Sequence, residues 1–345
     1  MRRILLDSKT VGDLYPTFII AEIGGNFSDF ESGIRHIKSA ISCGVDAVKI
    51  QTFRAEKLVS KYATFDMPAV HGKKNQLEII RDLELDYNIQ RKLFNYCKKK
   101  KITFFSTPSH KDDVDFLEEC NNKIYKIGSD DLTNIPLIKY VAKLQKPTII
   151  STGMSTINEV RDAARAFYSM KNKNLILLHC VSMYPFEPEF ANLNAIVTMK
   201  KTFKIPVGWS DHTKGIDICI SATALGANVI EKHFTLDKRR KGPDHQLSAD
   251  PNELSHMISK IRIIEKAKGS GLKIPAKCEL SSLKNIRKSL VASFEIEKGK
   301  KITRDLIEIK RIGKGISPSK LSSIVGKTTI KKISKDRPIL MKYLR

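Results

Sequence analysis

Eight short apolar runs recur along the chain, at residues 17–21, 47–50, 102–105, 124–127, 147–150, 175–178, 205–209 and 229–231. Each is followed by a stretch with helical spacing, such as Phe30, Ile34, Ile37 and Ile41 after the first, or Val160, Ala163, Ala164 and Phe167 after the fifth. Runs that are apolar throughout need burial on both faces, which parallel strands obtain between a lumen and a ring of helices. The alternation therefore predicts an α/β chain built on a closed (β/α)8 TIM barrel rather than an open sheet. Helix punctuation agrees: Ser28 with Glu31 and Thr156 with Glu159 have capping-box spacing, and Gly44 stands where the first helix should stop.

At 345 residues the chain has room for a barrel of roughly 250 residues and a small second domain. We expect a barrel domain at 1–268, with a hairpin at 4–14 closing its bottom, and a linker at 269–286 marked by Gly-Ser-Gly and Pro275. Residues 287–345 change to short β-like runs, 290–296 and 306–312, separated by turns. A β-rich domain this small gains from packing on something else.

No apolar run approaches the roughly 18 residues a membrane span needs, and the first 13 residues lack a leader's apolar stretch, so a cytoplasmic protein is expected. Six cysteines without a CxxC pair fit reduced thiols rather than a disulfide framework. The formal charge of +24 comes from lysines spread over the whole length. Even the run at 98–101 falls at a helix end, where cations favour the dipole. The charge thus suits attraction of small anions and gives no nucleic-acid footprint.

Barrel enzymes place their chemistry where strands end. Glu22 and Asn26 follow the first run, Lys49 and Gln51 the second, Ser106 and Thr107 the third, and Lys126, Ser129 and Asp131 the fourth. Ser151 and Thr152 follow the fifth, His179 and Tyr184 the sixth, Ser210, Asp211 and His212 the seventh, and Glu231 and His233 the eighth. His212 and His233 end neighbouring strands, roughly 4.8 Å apart, so their imidazoles could meet on one cation and leave positions for water and a substrate oxygen. Lys49 and Lys126, with Thr107, Ser129, Ser151 and Ser210, offer ammonium and hydroxyl donors to a phosphate and a carboxylate. Glu22 is a candidate base or hydroxyl acceptor.

At these same positions the chain resembles the sialic acid synthases, which make N-acetylneuraminic, legionaminic and pseudaminic acids. The matching strings are AEIGGN at 21–26, VKIQTF at 48–53, FSTP at 105–108, YKIGS at 125–129, ISTGM at 150–154, LLHC and YP within 177–185, WSDHT at 209–213, EKHFT at 231–235 and GPDH at 242–245. Beyond the barrel, IKRIGKGIS at 309–317 is similar to the family's antifreeze-like (SAF) domain. The resemblance implies that Lys49, Thr107, Lys126, Ser129, Ser151 and Ser210 hold phosphoenolpyruvate and that His212 and His233 bind a divalent metal, typically Mn2+. It implies that Glu22, Gln51, Tyr184 and Asp244 face an amino-sugar aldehyde. It also implies a homodimer in which each small domain caps the partner's barrel, with Arg311 reaching the partner's site. The reaction implied is a metal-dependent, aldol-like condensation with C–O cleavage that releases phosphate.

The chain departs from the family's pattern at three places. Asn26 is followed by Phe27 where the family usually has histidine; Ser129 is followed by Asp130 and Asp131 where Gly-Glu is common; and Ser182 stands where some neuraminate synthases carry Asn, at a phosphoenolpyruvate contact. Aspartate reaches about 1.5 Å less than glutamate, enough to alter sugar contacts. The basic segment at 238–241 reads as an exposed loop or as a contact for a phosphorylated sugar. Two rival readings use the same residues: a barrel lyase with Lys49, Lys126 or Lys232 as a Schiff-base amine, and a polyanion binder without turnover.

Overall fold

The computed structural model describes residues 2–63 and 75–345, which fall into two compact units, Met1–Gly269 and Ser270–Arg345. In the first, a two-stranded antiparallel hairpin, β1 (Ile4–Leu6) and β2 (Lys9–Val11), precedes eight parallel strands. These are β3 (Phe18–Glu22), β4 (Ala47–Thr52), β5 (Thr103–Pro108), β6 (Tyr125–Ile127), β7 (Thr148–Ser151), β8 (Leu175–Cys180), β9 (Val207–Asp211) and β10 (Val229–His233). They pair in sequence order, and β10 closes onto β3, giving the TIM barrel.

Because strand side chains alternate between faces, each strand feeds two cores. The outward set, including Ile19, Val48, Phe104, Ile127, Leu177 and Ile230, packs with the helices in the main cluster. The inward set, Phe18, Ile20, Ala47, Phe105, Ile124, Ile149, Ile176, Leu178 and Val229, fills the lower lumen, and Ile4, Leu6 and Val11 of the hairpin belong to the same cluster. The hairpin is therefore the barrel's apolar floor. Above that layer the inward positions turn polar.

Local signals explain most helix ends. Thr156 and Glu159 form the reciprocal capping box of the helix Ile157–Ser169. Gly44 ends the helix Phe30–Cys43 in the left-handed conformation, with φ 89°. That helix differs at its start: Asp29, not Ser28, is the cap, and its carboxylate accepts from the Ser32 amide at 2.8 Å. A carboxylate next to the positive end of the helix outcompetes the hydroxyl one residue earlier.

The second unit pairs β11 (Lys288–Ala292) with β12 (Ile307–Arg311) in antiparallel register. Its core is small: Leu290, Ala292, Ile296, Ile302, Ile307, Ile316, Ile324, Ile333 and Ile339. Among the described residues no helix is long and apolar enough to cross a membrane.

Phe105 is fully buried in the lower lumen. Phe105→Ala is expected to destabilise the barrel by about 3–5 kcal/mol in urea unfolding, through lost transfer energy and an unfilled cavity. A loss under about 1 kcal/mol would mean that the lumen relaxes around the gap and that this layer is not a packed core.

Candidate active site

The carboxyl rim carries a ring of buried charge. Lys49 on β4 pairs with Glu22 on β3, donates to Thr107 Oγ1 at 3.1 Å and lies 3.9 Å from Glu231 Oε2. Lys126 on β6 donates to Ser151 Oγ at 2.6 Å and to the Ile127 carbonyl at 3.2 Å, and lies 3.8 Å from Glu231 Oε1. Ser210 on β9 donates to Glu231 Oε1 at 2.9 Å. Two lysines and two glutamates thus alternate across the lumen, with hydroxyls from three further strands between them.

Glu231 is the hub, and sequence reasoning gave it no role beyond ending a strand. The signal was there: Val229 lies in the lumen core, so period two turns 231 and 233 inward as well. The same alternation removes Lys232. Its ammonium is fully buried, facing away from the lumen, where it donates to Asp211 Oδ2 at 2.6 Å and to the Thr213 carbonyl.

Burial opposes every charge here, and the neighbours decide the outcome. Desolvation works against the Lys49 ammonium, but Glu22 and Glu231 outweigh it and hold its pKa above the usual range. For Lys126 desolvation wins over Glu231 and the pKa is lowered. Burial raises Glu22, with Glu231 adding to the effect, whereas Lys126 and Lys49 overcome burial at Glu231 and lower it.

One step up, the structure brings the two histidines together. The rings of His212 and His233 have centroids 5.6 Å apart, and Tyr184 lies against His212 at 3.9 Å. His212 Nδ1 sits 2.7 Å from the Val181 carbonyl; since a carbonyl only accepts, Nδ1 carries the proton and Nε2 keeps its lone pair. Burial lowers the His212 pKa to about 4, and burial together with His212 drives His233 well below its ordinary value, so both rings are neutral at neutral pH. His233 Nδ1 is buried without a hydrogen-bond partner, 3.6 Å from Asp244 Oδ2. Burial and the nearby Glu22 charge raise the Asp244 pKa to about 7.

This pair fits a divalent cation. Two neutral imidazoles, one oriented by a backbone carbonyl and one with a buried nitrogen lacking a protein partner, form an open nitrogen donor set. Among the described residues no group of three or more His, Cys, Asp or Glu side chains forms a metal site, so remaining ligands would come from water and substrate.

The loops after β6, β7 and β8 converge on a third cluster. Ser129 Oγ accepts from the Gly153 amide at 3.0 Å and meets Cys180 Sγ at 3.1 Å. Ser182 Oγ is buried without a hydrogen-bond partner and lies 2.2 Å from where a Cβ on Gly153 would stand. An orphaned hydroxyl at the rim is suited to a ligand oxygen. Gly24 is constrained in the same way, because its Cβ would fall 2.5 Å from Glu22 Oε1, which accepts from the Gly24 amide.

Other candidates stand elsewhere. Asp131 turns into its own loop, where it accepts from Asn134 at 2.7 Å, and burial raises its pKa to about 6. Asp130 instead lies against Gly128, beside Thr107, and acts electrostatically on Tyr184. His179 packs outward on Trp209 and meets the Ala191 carbonyl. Asn26 is structural, donating to the Phe234 carbonyl and Ser248. Gln51 and Asp244 flank a small cavity beside the rim. Arg311 ends β12 of the second unit, exposed.

Fold and rim together define a barrel enzyme of the TIM class. Among known proteins, residues 36–273 match the NeuB family and residues 287–345 the SAF domain. The chain is 44% identical over 328 residues to an uncharacterised protein of Methanocaldococcus jannaschii, covering 95% of this chain and 94% of that one. It is 40% identical over 329 residues to the N,N'-diacetyllegionaminic acid synthase of Campylobacter jejuni, covering 94% of this chain and 98% of that protein. The solved N-acetylneuraminic acid synthetase of Leptospira borgpetersenii, in complex with citrate, aligns with a TM-score of 0.75 at 34% identity over 82% of this chain and 95% of that one. The chain belongs to the NeuB family, the sialic acid synthase family whose motifs it carries, and it ends in a SAF domain.

If the four rim charges form one coupled system, Glu231→Leu should cost about 3–5 kcal/mol in urea unfolding, because it takes from the buried Lys126 ammonium its carboxylate and leaves Lys49 with Glu22 alone. Adding Lys126→Met should recover part of that loss. Additive losses in the double variant would show that Glu231 and Lys126 act independently.

Proposed function

We propose that the chain condenses phosphoenolpyruvate with an N-acylated hexosamine in its open-chain aldehyde form, giving a nine-carbon 3-deoxy-2-keto sugar acid and phosphate. The observation that carries this reading is the meeting, at one rim, of two buried lysines with rim hydroxyls and two neutral imidazoles. A substrate with both a phosphate and a carboxylate matches the first group, and a carbonyl oxygen matches a cation held by the second. Family membership supports the same class of product.

In this reading Lys49 and Lys126, with Thr107, Ser129, Ser151 and Ser210, hold the phosphate and carboxylate; Ser182, the buried hydroxyl without a partner, is a further donor. Because the donors are fixed by six strands or the loops that follow them, the enol carbon C3 is held against the sugar without reorganisation of the site. A divalent cation, Mn2+ in our proposal, held by His212 and His233, supplies Lewis-acid polarisation of the aldehyde when bound. Gln51, Tyr184 and Asp244 orient the sugar.

C3 attacks the aldehyde carbon, the new C–C bond forms, and the former aldehyde oxygen takes up a proton. Water then adds to the cationic C2, and Glu22 accepts the proton it loses. Cleavage of the C2–O bond releases phosphate and leaves the 2-keto acid. Glu22 suits this part because burial raises its pKa while Lys49 stays beside it to hold the carboxylate form. The lowered pKa of Lys126 favours a second reading, a Schiff-base lyase using that amine.

Incubation with phosphoenolpyruvate, Mn2+ and a panel of N-acylated hexosamines, with and without phosphate, is expected to release inorganic phosphate with at least one sugar. Chelator should abolish release, Mn2+ should restore it, and His212→Ala should fall by at least about a hundredfold. Borohydride trapping of substrate on Lys126, with indifference to chelator, would replace this mechanism with the lyase.

We further propose that the active form is a homodimer in which Arg311 of one chain serves the other chain's barrel. The small core of the second unit supports a need for a packing partner. Mixing Arg311→Ala with Lys126→Ala chains should restore part of the activity that each lacks alone. Absence of rescue, with mixed dimers shown to form, would count against sharing.

A further inference from the structure

Behind the two histidines, on the outer side of the barrel wall, stands a buried ion pair that the reaction as described does not use. Neither Lys232 nor Asp211 exposes any side-chain surface, and the ammonium donates to Asp211 Oδ2 at 2.6 Å and to the Thr213 carbonyl. Asp211 is fully engaged in turn. Its Oδ1 accepts from Trp209 Nε1 at 3.0 Å and from Thr213 Oγ1 at 3.0 Å, and the same hydroxyl lies 3.1 Å from Oδ2. One carboxylate thus ties together the alternate residues 209, 211 and 213, while Ser210 and His212 between them serve the rim.

The strand register gives this pair a task. β9 and β10 pair through Ile230 with Trp209, Glu231 with Ser210 and Lys232 with Asp211, and their pairing stops there. His233 still pairs with Glu22 of β3, but His212 has already left β9. The backbone ladder therefore does not set the separation of the two imidazoles. The last rung before them is the one whose side chains form the ion pair, and each member adjoins one histidine in sequence. Lys232 also holds the Thr213 carbonyl, on the far side of His212, while the Val181 carbonyl orients the His212 ring.

Stability alone is a poor reason for these charges. Two ions taken out of water lose solvation that pairing only partly restores, and apolar side chains of similar volume commonly fill a core as well or better. What the ion pair adds is direction: a charged donor in short contact with a carboxylate and a carbonyl fixes one separation of the strands, where apolar contacts allow a range. A metal site needs that precision, since its bond lengths tolerate deviations of only about 0.2 Å.

We infer that Lys232 and Asp211 are positioning residues for the cation site, clamping the ends of β9 and β10 so that His212 and His233 meet on one divalent ion. The inference rests on those histidines being the ligands in the condensation proposed above, and it names what sets their spacing. Both side chains lie behind the rim, so they act through the backbone of their neighbours.

The neutral double variant, Asp211→Asn with Lys232→Met, tests this. Asparagine keeps an acceptor for Trp209 and Thr213, methionine fills the volume of the lysine, and no buried charge is left unpaired. Binding of Mn2+ to the full chain without substrate is read from the electron paramagnetic resonance signal of the free ion, alongside the urea midpoint. We expect the double variant to keep its midpoint and to bind Mn2+ about tenfold to a hundredfold more weakly, with KM for phosphoenolpyruvate at saturating Mn2+ held within about twofold. Wild-type Mn2+ affinity in the folded double variant, with binding lost in His212→Ala, would overturn the positioning role and leave the ligands standing. Should the double variant fail to fold or lose its midpoint, Thr213→Val decides, because it keeps the ion pair and removes one hydroxyl from Asp211. Affinity lowered about threefold or more at an unchanged midpoint supports the clamp, and wild-type affinity refutes it. If the wild-type chain binds no Mn2+, or His212→Ala binds it equally well, the ligand assignment itself fails and the clamp falls with it.

Discussion

The upper lumen places four ionisable groups, Glu22, Lys49, Lys126 and Glu231, where almost no solvent reaches them. Taking each out of water costs several kcal/mol, and only mutual pairing with well-placed hydroxyls offsets it. That requirement reaches every strand involved: Thr107, Ser151 and Ser210 each satisfy one member of the set, from β5, β7 and β9. The apolar layer below and the helix-packed shell outside supply the burial that makes such a polar layer tolerable. The compensation is incomplete by design of distance. Lys126 and Lys49 stand 3.8 and 3.9 Å from Glu231, close enough for attraction and too far for full hydrogen bonding. Lys126 is the less compensated of the two, since Lys49 also pairs directly with Glu22.

The imidazoles are prepared differently. Their neutrality is a product of burial, and the orientation of His212 is a product of one backbone carbonyl. A pair of neutral rings beside a cationic belt divides the rim into a side of ammonium and hydroxyl donors and a side of nitrogen lone pairs. A reaction joining a phosphorylated acid to an aldehyde needs both.

Much of this was legible in the residues, because a parallel barrel strand leaves a strong record: an apolar run, then the polar residue that must stand at its carboxyl end. His212 and His233 could be paired from strand adjacency alone, and Lys49 and Lys126 from their equivalent places in VKIQ and YKIG. Glu231 escaped because it looked like the last residue of a run, and only the inward position of Val229 shows that it faces the centre. Loops carry no such period. Nothing in the order Asp130, Asp131 says which of them turns toward the rim, and the first closes on Gly128 while the second binds Asn134. The turn of Leu83 and Leu85, which borders the small cavity beside Gln51, was invisible for a similar reason: it is held by the grip of Arg54 and Ala55 on Glu84, contacts across 30 and 29 residues of sequence.

The hairpin of Ile4, Leu6 and Val11 gives the barrel a sealed end. A chamber with one doorway imposes a queue: whatever settles against the deepest charges must arrive before a second molecule covers it. In the condensation proposed above, that first arrival is the phosphorylated acid. The single doorway is thus set by an apolar plug, the hairpin together with the filled lower lumen, at the end of the barrel opposite the polar rim.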